Sequence, residues 1–201
     1  MTRLVDTAML RATTAILDAD LAVAESVIQG DVEIDAVSAD LEERSLQLVA
    51  LQAPVATDLR VLLSGLRISA SLERMGDLAT HVAKAARLRY PASAVPPEAR
   101  GTIVAMGDVA ERIVRSTGEV LAAHDVPAAI NLAVIDDEMD QLHRELFAMV
   151  LSPSWDHGVE AAIDLTLVSR YYERFADHAV TIGKRVVHIV TGEPYKPTGQ
   201  S

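Results

Sequence analysis

Three observations predict an all-α protein, built as two tandem antiparallel three-helix bundles that an internal duplication relates. Half of the 201 residues are hydrophobic but only 3% are aromatic, which is typical of packed helices rather than of a β-sandwich. Apolar residues recur at steps of three, four and seven residues in long segments, which is the period of one helix face. A motif of glutamate, arginine and aspartate occurs twice, 100 residues apart.

The first bundle is predicted to span residues 1–90. Its three helices are predicted over residues 5–29, 31–52 and 55–89. We place the first boundary at Gly30, because glycine is a weak helix former. The second boundary follows from Pro54, since the residue before a proline avoids the helical conformation. The third helix is long because no proline interrupts it.

The second bundle is predicted to span residues 98–192 and to repeat the plan of the first. Its three helices are predicted over residues 98–124, 127–150 and 156–190. The segment 91–97 contains three prolines and is interpreted as the linker between the bundles. Short connections within each set of three helices predict antiparallel neighbours, with the bundles joined end to end. Residues 193–201 are expected to form a flexible tail.

The duplication is visible in individual residues. "LERMGDLATHVAK" at 72–84 aligns with "YERFADHAVTIGK" at 172–184, with five identities in 13 positions. On the preceding helix of each half, "DVEIDAV" at 31–37 corresponds to "DDEMDQL" at 136–142, and both contain D-x-x-x-D. Each half therefore carries two pairs of acidic residues spaced four apart.

Such pairs point to cation binding. Residues four apart on a helix differ by about 40° in direction and about 6 Å in height, so both carboxylates leave the same face. Repulsion between the two carboxylates destabilises the helix, whereas a cation bound between them makes their interaction stabilising. Oxygen ligands suit Mg²⁺, Mn²⁺, Ca²⁺ or iron, and carboxylates can bridge several ions. If the second and third helices of each bundle are neighbours, eight acids form two candidate metal sites: Asp31, Asp35, Glu73 and Asp77, and Asp136, Asp140, Glu173 and Asp177.

Other interpretations remain open for these acids. Arg74 and Arg174 lie three residues before Asp77 and Asp177, so each aspartate could form only a surface ion pair. The combination of Asp140 with His143 matches half of a ferritin-like motif, but imperfectly and only once. A metal-dependent enzyme with a carboxylate-bridged centre and a metal-free helical adaptor are the rival functions. The repetition in two halves favours metal ligands, and the sequence contains no recognisable nucleophile with its base.

Composition excludes several classes of protein. The chain has no cysteine, so disulfides and thiolate sites are absent. Its formal net charge of -11 argues against nucleic-acid binding, which needs a basic surface. No apolar segment reaches the roughly 18 to 20 residues of a membrane-spanning helix, and no signal peptide is recognisable. The sequence therefore predicts a soluble, cytoplasmic protein.

The motifs resemble those of the PhoU family, the accessory and regulatory proteins of bacterial phosphate transport. The resemblance rests on "ERMGD", "ERFAD", the segment "PVATDLR" at 54–60 and the acidic starts of the second and fifth helices. It covers nearly the whole chain. Members of the family usually have a longer first helix, so this chain is expected to begin late relative to them.

The resemblance implies a function and partners. PhoU-like proteins are negative regulators of the phosphate-starvation response that act with the phosphate ABC transporter and a sensor histidine kinase. The resemblance implies contacts with the transporter ATPase and the kinase, a homodimer, and membrane association only through these partners. It also implies metal ions, among them iron, zinc, magnesium or manganese, at the eight acids named above. Since the sequence has no recognisable nucleophile with its base, we expect no enzymatic activity.

Overall fold

Six α-helices account for most of the residues that the structure, a computed structural model, describes (1–193). They are α1 Thr2–Asp18, α2 Leu21–Gln52, α3 Ala56–Arg89, α4 Pro97–Ala123, α5 Val126–Val150 and α6 Gly158–Thr191. Residues 1–193 contain no β-strand, so the predicted all-α class is confirmed. The last four helices begin and end within two residues of their predicted bounds. The predicted tail, 193–201, lies outside the described residues except for Glu193.

The boundary between α1 and α2 differs from the prediction. α1 ends at Asp18, Ala19 adopts a left-handed conformation with φ 50°, and α2 runs through Gly30 without a break. Asp20 caps α2, because its Oδ1 accepts a hydrogen bond of 3.0 Å from the backbone N–H of Val23. The cap stabilises a helix start by about 1 kcal/mol, and a single glycine in a helix costs about the same without ending it. The predicted break at Gly30 is therefore wrong.

The same turn occurs between α4 and α5. His124 has φ 55°, and Asp125 accepts a hydrogen bond of 3.0 Å from the backbone N–H of Ala128. The left-handed residue and the aspartate cap that follows it thus belong to the duplicated unit.

The two bundles lie side by side rather than end to end. Contacts join α1 to α4 and α3 to α6, in addition to the contacts within each set of three helices. The hydroxyl groups of Thr13 in α1 and Tyr172 in α6 are 2.6 Å apart, and the carboxylate of Asp164 in α6 pairs with Arg89 at the end of α3. The buried apolar residues of both halves form one core. The predicted end-to-end arrangement is wrong. α3 and α6 have buried residues around more of their surface than the helices of their own bundle cover, and the two helices pack against each other there.

The helices form two layers. One layer has the order α2, α3, α6, α5, and α1 and α4 pack behind it. All eight predicted ligands lie on helices of this four-helix layer, in one cluster on α2 and α3 and another on α5 and α6. No helix within residues 1–193 combines the length and hydropathy needed to cross a membrane.

Candidate metal centres

Glycines bring the helices of each acidic pair close together. A Cβ atom on Gly76 of α3 would lie 2.8 Å from Cδ1 of Ile34 and 3.2 Å from Oδ1 of Asp31, both on α2. In the second half, a Cβ atom on Gly183 of α6 would lie 2.7 Å from the carbonyl oxygen of Ala129 on α5. At Gly183 the neighbouring atom is backbone, so only glycine fits there, whereas at Gly76 the end of the Ile34 side chain would have to move to admit a Cβ atom.

The first cluster contains Asp31, Asp35 and Asp77 in electrostatic contact. Burial raises the pKa of Asp31 first, and the charges of Asp35 and Asp77 raise it further. A hydrogen bond from Thr80 and the charge of Lys84 act in the opposite direction. α2 and α3 therefore bring three of the four predicted acids together. The fourth, Glu73, lies one turn before Asp77 on α3 and is not among the main causes of the Asp31 shift.

The second cluster brings all four of its predicted acids together. Burial raises the pKa of Asp136 to about 7, and the charges of Asp177, Asp140, Asp137 and Glu173 add to the shift in that order. Burial also raises the pKa of Glu173, although Arg170 partly offsets this. A carboxylate with four acidic neighbours is costly in its charged form, and a proton or a cation relieves that cost.

Two carboxylate oxygens of the second cluster have no hydrogen-bond partner within residues 1–193. These are Oδ1 of Asp136 and Oε2 of Glu173, and both are shielded from solvent. A buried oxygen without a partner costs about 1 to 3 kcal/mol. Oxygen atoms of this kind, on adjacent helices and among further acids, fit a hard cation.

Neither cluster is closed into a finished metal site. No three His, Asp or Glu side chains of the described residues lie in an arrangement that could hold a metal ion. A cation would therefore be held only after rotation of the acidic side chains on these helices. This distinguishes the clusters from a preformed chelating site.

The arginines near the acidic clusters have different ion-pair partners in the two halves. Arg74 pairs with Asp77 at 2.8 Å, as the ion-pair interpretation expected. Arg174 and Asp177 form no such pair in the described part of the chain. In the second half Arg170 pairs instead with Oε1 of Glu173. The ion-pair interpretation thus accounts for Asp77 in the first repeat but not for Asp177 in the second, where no ion pair with Arg174 forms among the described residues.

The histidines have local contacts rather than a shared site. His81 stacks on Tyr171 with ring centroids 5.1 Å apart. Nδ1 of His143 lies 2.9 Å from the hydroxyl of Ser169, and burial followed by Arg170 lowers its pKa. Burial also lowers the pKa of His178. Trp155 lies against the core and donates a hydrogen bond of 2.9 Å to the carbonyl of Gly158.

Several residues of the clusters were not found from the sequence. The charge of Asp137 raises the pKa of Asp136, Thr80 donates a hydrogen bond to Asp31, and Arg170 forms an ion pair with Glu173. The run of three acids at 136–138 was the only available signal for Asp137. Thr80 and Arg170 belong to no repeated pattern, because their equivalents at 100 residues' distance, Val180 and Ala70, are apolar.

The side-by-side bundles and the paired acidic clusters define a class of duplicated helical-bundle proteins. The chain belongs to the PhoU family. The family model described as the PhoU domain matches residues 1–86 and residues 103–186, one segment in each half. The family predicted from the motifs is therefore confirmed.

Similar proteins with known names cover most of the chain. The phosphate-specific transport system accessory protein PhoU homolog 2 of Mycobacterium tuberculosis is 50% identical over 185 residues, which is 92% of this chain and 87% of the relative. PhoU homolog 1 of the same species is 43% identical over 192 residues, or 96% and 87%. These relatives are named accessory proteins, which agrees with the prediction that the chain is not an enzyme.

Crystal structures of PhoU from two species share the fold. PhoU from Pseudomonas aeruginosa matches with a TM-score of 0.85 and 26% identity, over 96% of this chain and 93% of that one. The phosphate transport system regulatory protein PhoU from Streptococcus pneumoniae matches with a TM-score of 0.87 and 26% identity, over 97% and 92%.

Proposed function

We propose that the chain is a negative regulator of the phosphate-starvation response that also modulates phosphate uptake, as a cytoplasmic, metal-binding scaffold. Membership of the PhoU family and the names of its relatives support the coarser part, an accessory role in phosphate transport. The partners of this proposal are the phosphate ABC transporter ATPase and a phosphate-sensing histidine kinase. A homodimer is the proposed assembly.

The second acidic cluster is the observation that supports metal binding most strongly. Oδ1 of Asp136 and Oε2 of Glu173 are buried without a donor in the described part of the chain, and the pKa of Asp136 is raised to about 7. Asp140 and Asp177 supply further oxygens next to them. A divalent or trivalent ion would neutralise these charges and tie α5 to α6, so binding would stabilise the second bundle.

The first cluster is the weaker of the two in this proposal. Asp77 already has Arg74 as a partner, and Asp31 accepts a hydrogen bond from Thr80. An ion bound to Asp31, Asp35, Glu73 and Asp77 would have to displace or share these contacts. We therefore expect the second cluster to fill first.

A reporter of phosphate-starvation genes tests this function in a host that lacks the chain. With phosphate in excess, the wild-type chain should restore repression, whereas the variant Asp136→Asn, Glu173→Gln should leave the reporter several-fold higher. The matched control is Glu33→Gln, Glu43→Gln, which removes two exposed acids from α2 and should repress fully.

Each failure has its own meaning in this experiment. If the reporter stays low in the host without the chain, negative regulation is wrong. If the Asp136→Asn, Glu173→Gln variant represses as well as the wild type, regulation stands and the metal-binding part is wrong.

A further inference from the structure

An open groove lies on the outer side of α4 and α5. Its volume is about 560 Å³. Its apolar floor consists of Ala105, Val109 and Leu142, and its acidic rim includes Asp108 and Asp137. We call it the α4–α5 groove. The acidic clusters described above do not open into it, apart from Asp137, which borders both.

The rim keeps unpaired negative charge. Arg112, the basic residue of the lining, is held by Glu138, with Nη2 to Oε2 at 2.5 Å and Nη1 to Oε1 at 3.3 Å. Asp108 and Asp137 form no ion pair with any described residue. The groove therefore presents two free carboxylates beside an apolar floor.

Exposed apolar side chains extend the floor along both helices. On α5, Ile130 and Val134 are 45% and 57% exposed, and they fall seven residues before Asp137 and Gln141 of the lining. On α4, Val104 is 41% exposed and lies four residues before Asp108. Residues 130 to 142 of α5 span about 18 Å, roughly three helical turns, so these exposed residues lie directly beside the groove on the same helix face.

Both helices that line the groove carry net negative charge. α5 carries five acidic residues and one basic residue, and α4 carries four acidic and three basic residues. A nucleic acid, an anionic membrane or the same groove of a second copy would meet like charge. A basic partner is the complementary one.

We propose that the α4–α5 groove binds an amphipathic helix of a partner protein, whose lysines or arginines face Asp108 and Asp137. The apolar side of that helix would pack on Ala105, Val109 and Leu142, as in other complexes where a helix lies in a groove. The inference rests on the proposed function only for the expectation of a protein partner. It requires no metal.

The test measures fluorescence anisotropy of a labelled 18-residue peptide with leucines on one helical face and lysines beside them. It is done at physiological ionic strength with a chelator present. The full chain should bind this peptide at least 10-fold more tightly than a peptide of the same composition with its leucines distributed around the helix. Equal binding of the two peptides would overturn the proposal, because charge alone would then explain the affinity.

Two variants, each with a control on α2, test whether the peptide binds in the groove. Val134→Glu adds negative charge but blocks the apolar floor, so affinity should fall about 10-fold. Its control, Val32→Glu, changes a valine that is 65% exposed on α2 and should bind as the wild type does. Asp108→Lys should lower the peptide affinity and make that affinity less dependent on salt. The control Glu33→Lys on α2 should change both quantities far less.

Equal effects of each variant and its control would overturn the proposal. Because the peptide assay contains no metal and the reporter assay contains no peptide, the two proposals fail separately. Loss of peptide binding would leave repression by the wild-type chain intact, and loss of repression would leave peptide binding intact.

Discussion

At the scale of single residues, the four acids that approach Asp136 set the properties of the second cluster. Burial and the charge of Asp177 are the largest causes of its raised pKa. Asp31 occupies the equivalent place in the first half, but Thr80 and Lys84 offset part of its shift. Two halves with the same acidic spacing thus differ in how much uncompensated charge they hold.

This difference predicts a dependence of stability on pH in the metal-free protein. Between pH 4 and pH 7, native Asp136 keeps a proton that the unfolded chain, with a pKa of 3.8, has released. Because the native state then binds more protons, the free energy of unfolding falls as the pH rises. After allowance for partial exposure, the loss is about 1 to 2 kcal/mol.

Urea unfolding in a chelator at pH 4 to 8 measures this effect. Asp136→Asn should flatten the fall and should be more stable than the wild type above pH 7. The control Glu33→Gln, at an exposed acid on α2, should follow the wild-type curve. A constant difference in stability between wild type and Asp136→Asn over the whole range would contradict the raised pKa.

The spacing of the acids was predictable from the sequence, but the balance of charge within each cluster was not. Residues four apart share a helix face in any helix, so the eight acids could be found from the D-x-x-x-D and E-R-x-x-D patterns. Within residues 1–193, Arg74 pairs with Asp77, whereas Arg174 and Asp177 form no ion pair. That choice depends on neighbouring helices, which the local sequence does not specify.

At the scale of the helices, close approaches decide which glycines matter. Gly183 lies against the backbone of α5, whereas Gly30 in α2 has open space where a Cβ atom would be. Gly183→Ala should therefore destabilise the protein by about 1 to 3 kcal/mol through overpacking. Gly30→Ala should stabilise it by about 0.5 to 1 kcal/mol, because alanine favours the helix.

Thermal unfolding of the two alanine variants compares these effects directly. Opposite shifts of the melting temperature, down for Gly183→Ala and up for Gly30→Ala, are the expected result. A rise for both variants would show that α5 and α6 are not in close contact at Gly183.

The helix boundaries show the limit of local reasoning. Prolines marked the ends near residues 54 and 97 correctly, because proline acts on the backbone itself. Gly30 misled the prediction, since its cost is small and α2 is long enough to absorb it. The boundary at Asp20 had a sequence signal, an aspartate before an apolar helix, and the matching Asp125 would have supported it.

At the scale of the whole molecule, the duplication gives one core and an uneven distribution of charge. The side-by-side arrangement of the bundles was not predictable, because periodicity identifies apolar faces but not which helix covers them. Tyr172, fully buried between the halves, shows this: its hydroxyl reaches Thr13 of α1, 159 residues away in the chain. The sequence shows that α2 and α5 are rich in acids. The fold places these two helices at the outer edges of the layer, so the acids lie at both edges.

In the proposed function the acidic clusters bind metal ions, and the second cluster binds them more tightly. The most direct measurement is the titration of the chelator-treated chain with Mn²⁺, Fe²⁺, Zn²⁺ and Mg²⁺ by calorimetry, with metal analysis of the untagged protein. We expect the variant Asp136→Asn, Glu173→Gln to lose the tighter binding and the variant Asp31→Asn, Asp77→Asn to retain it. Metal binding by the second cluster is wrong if the wild-type chain binds none of these ions, or if the Asp136→Asn, Glu173→Gln variant binds them as the wild type does.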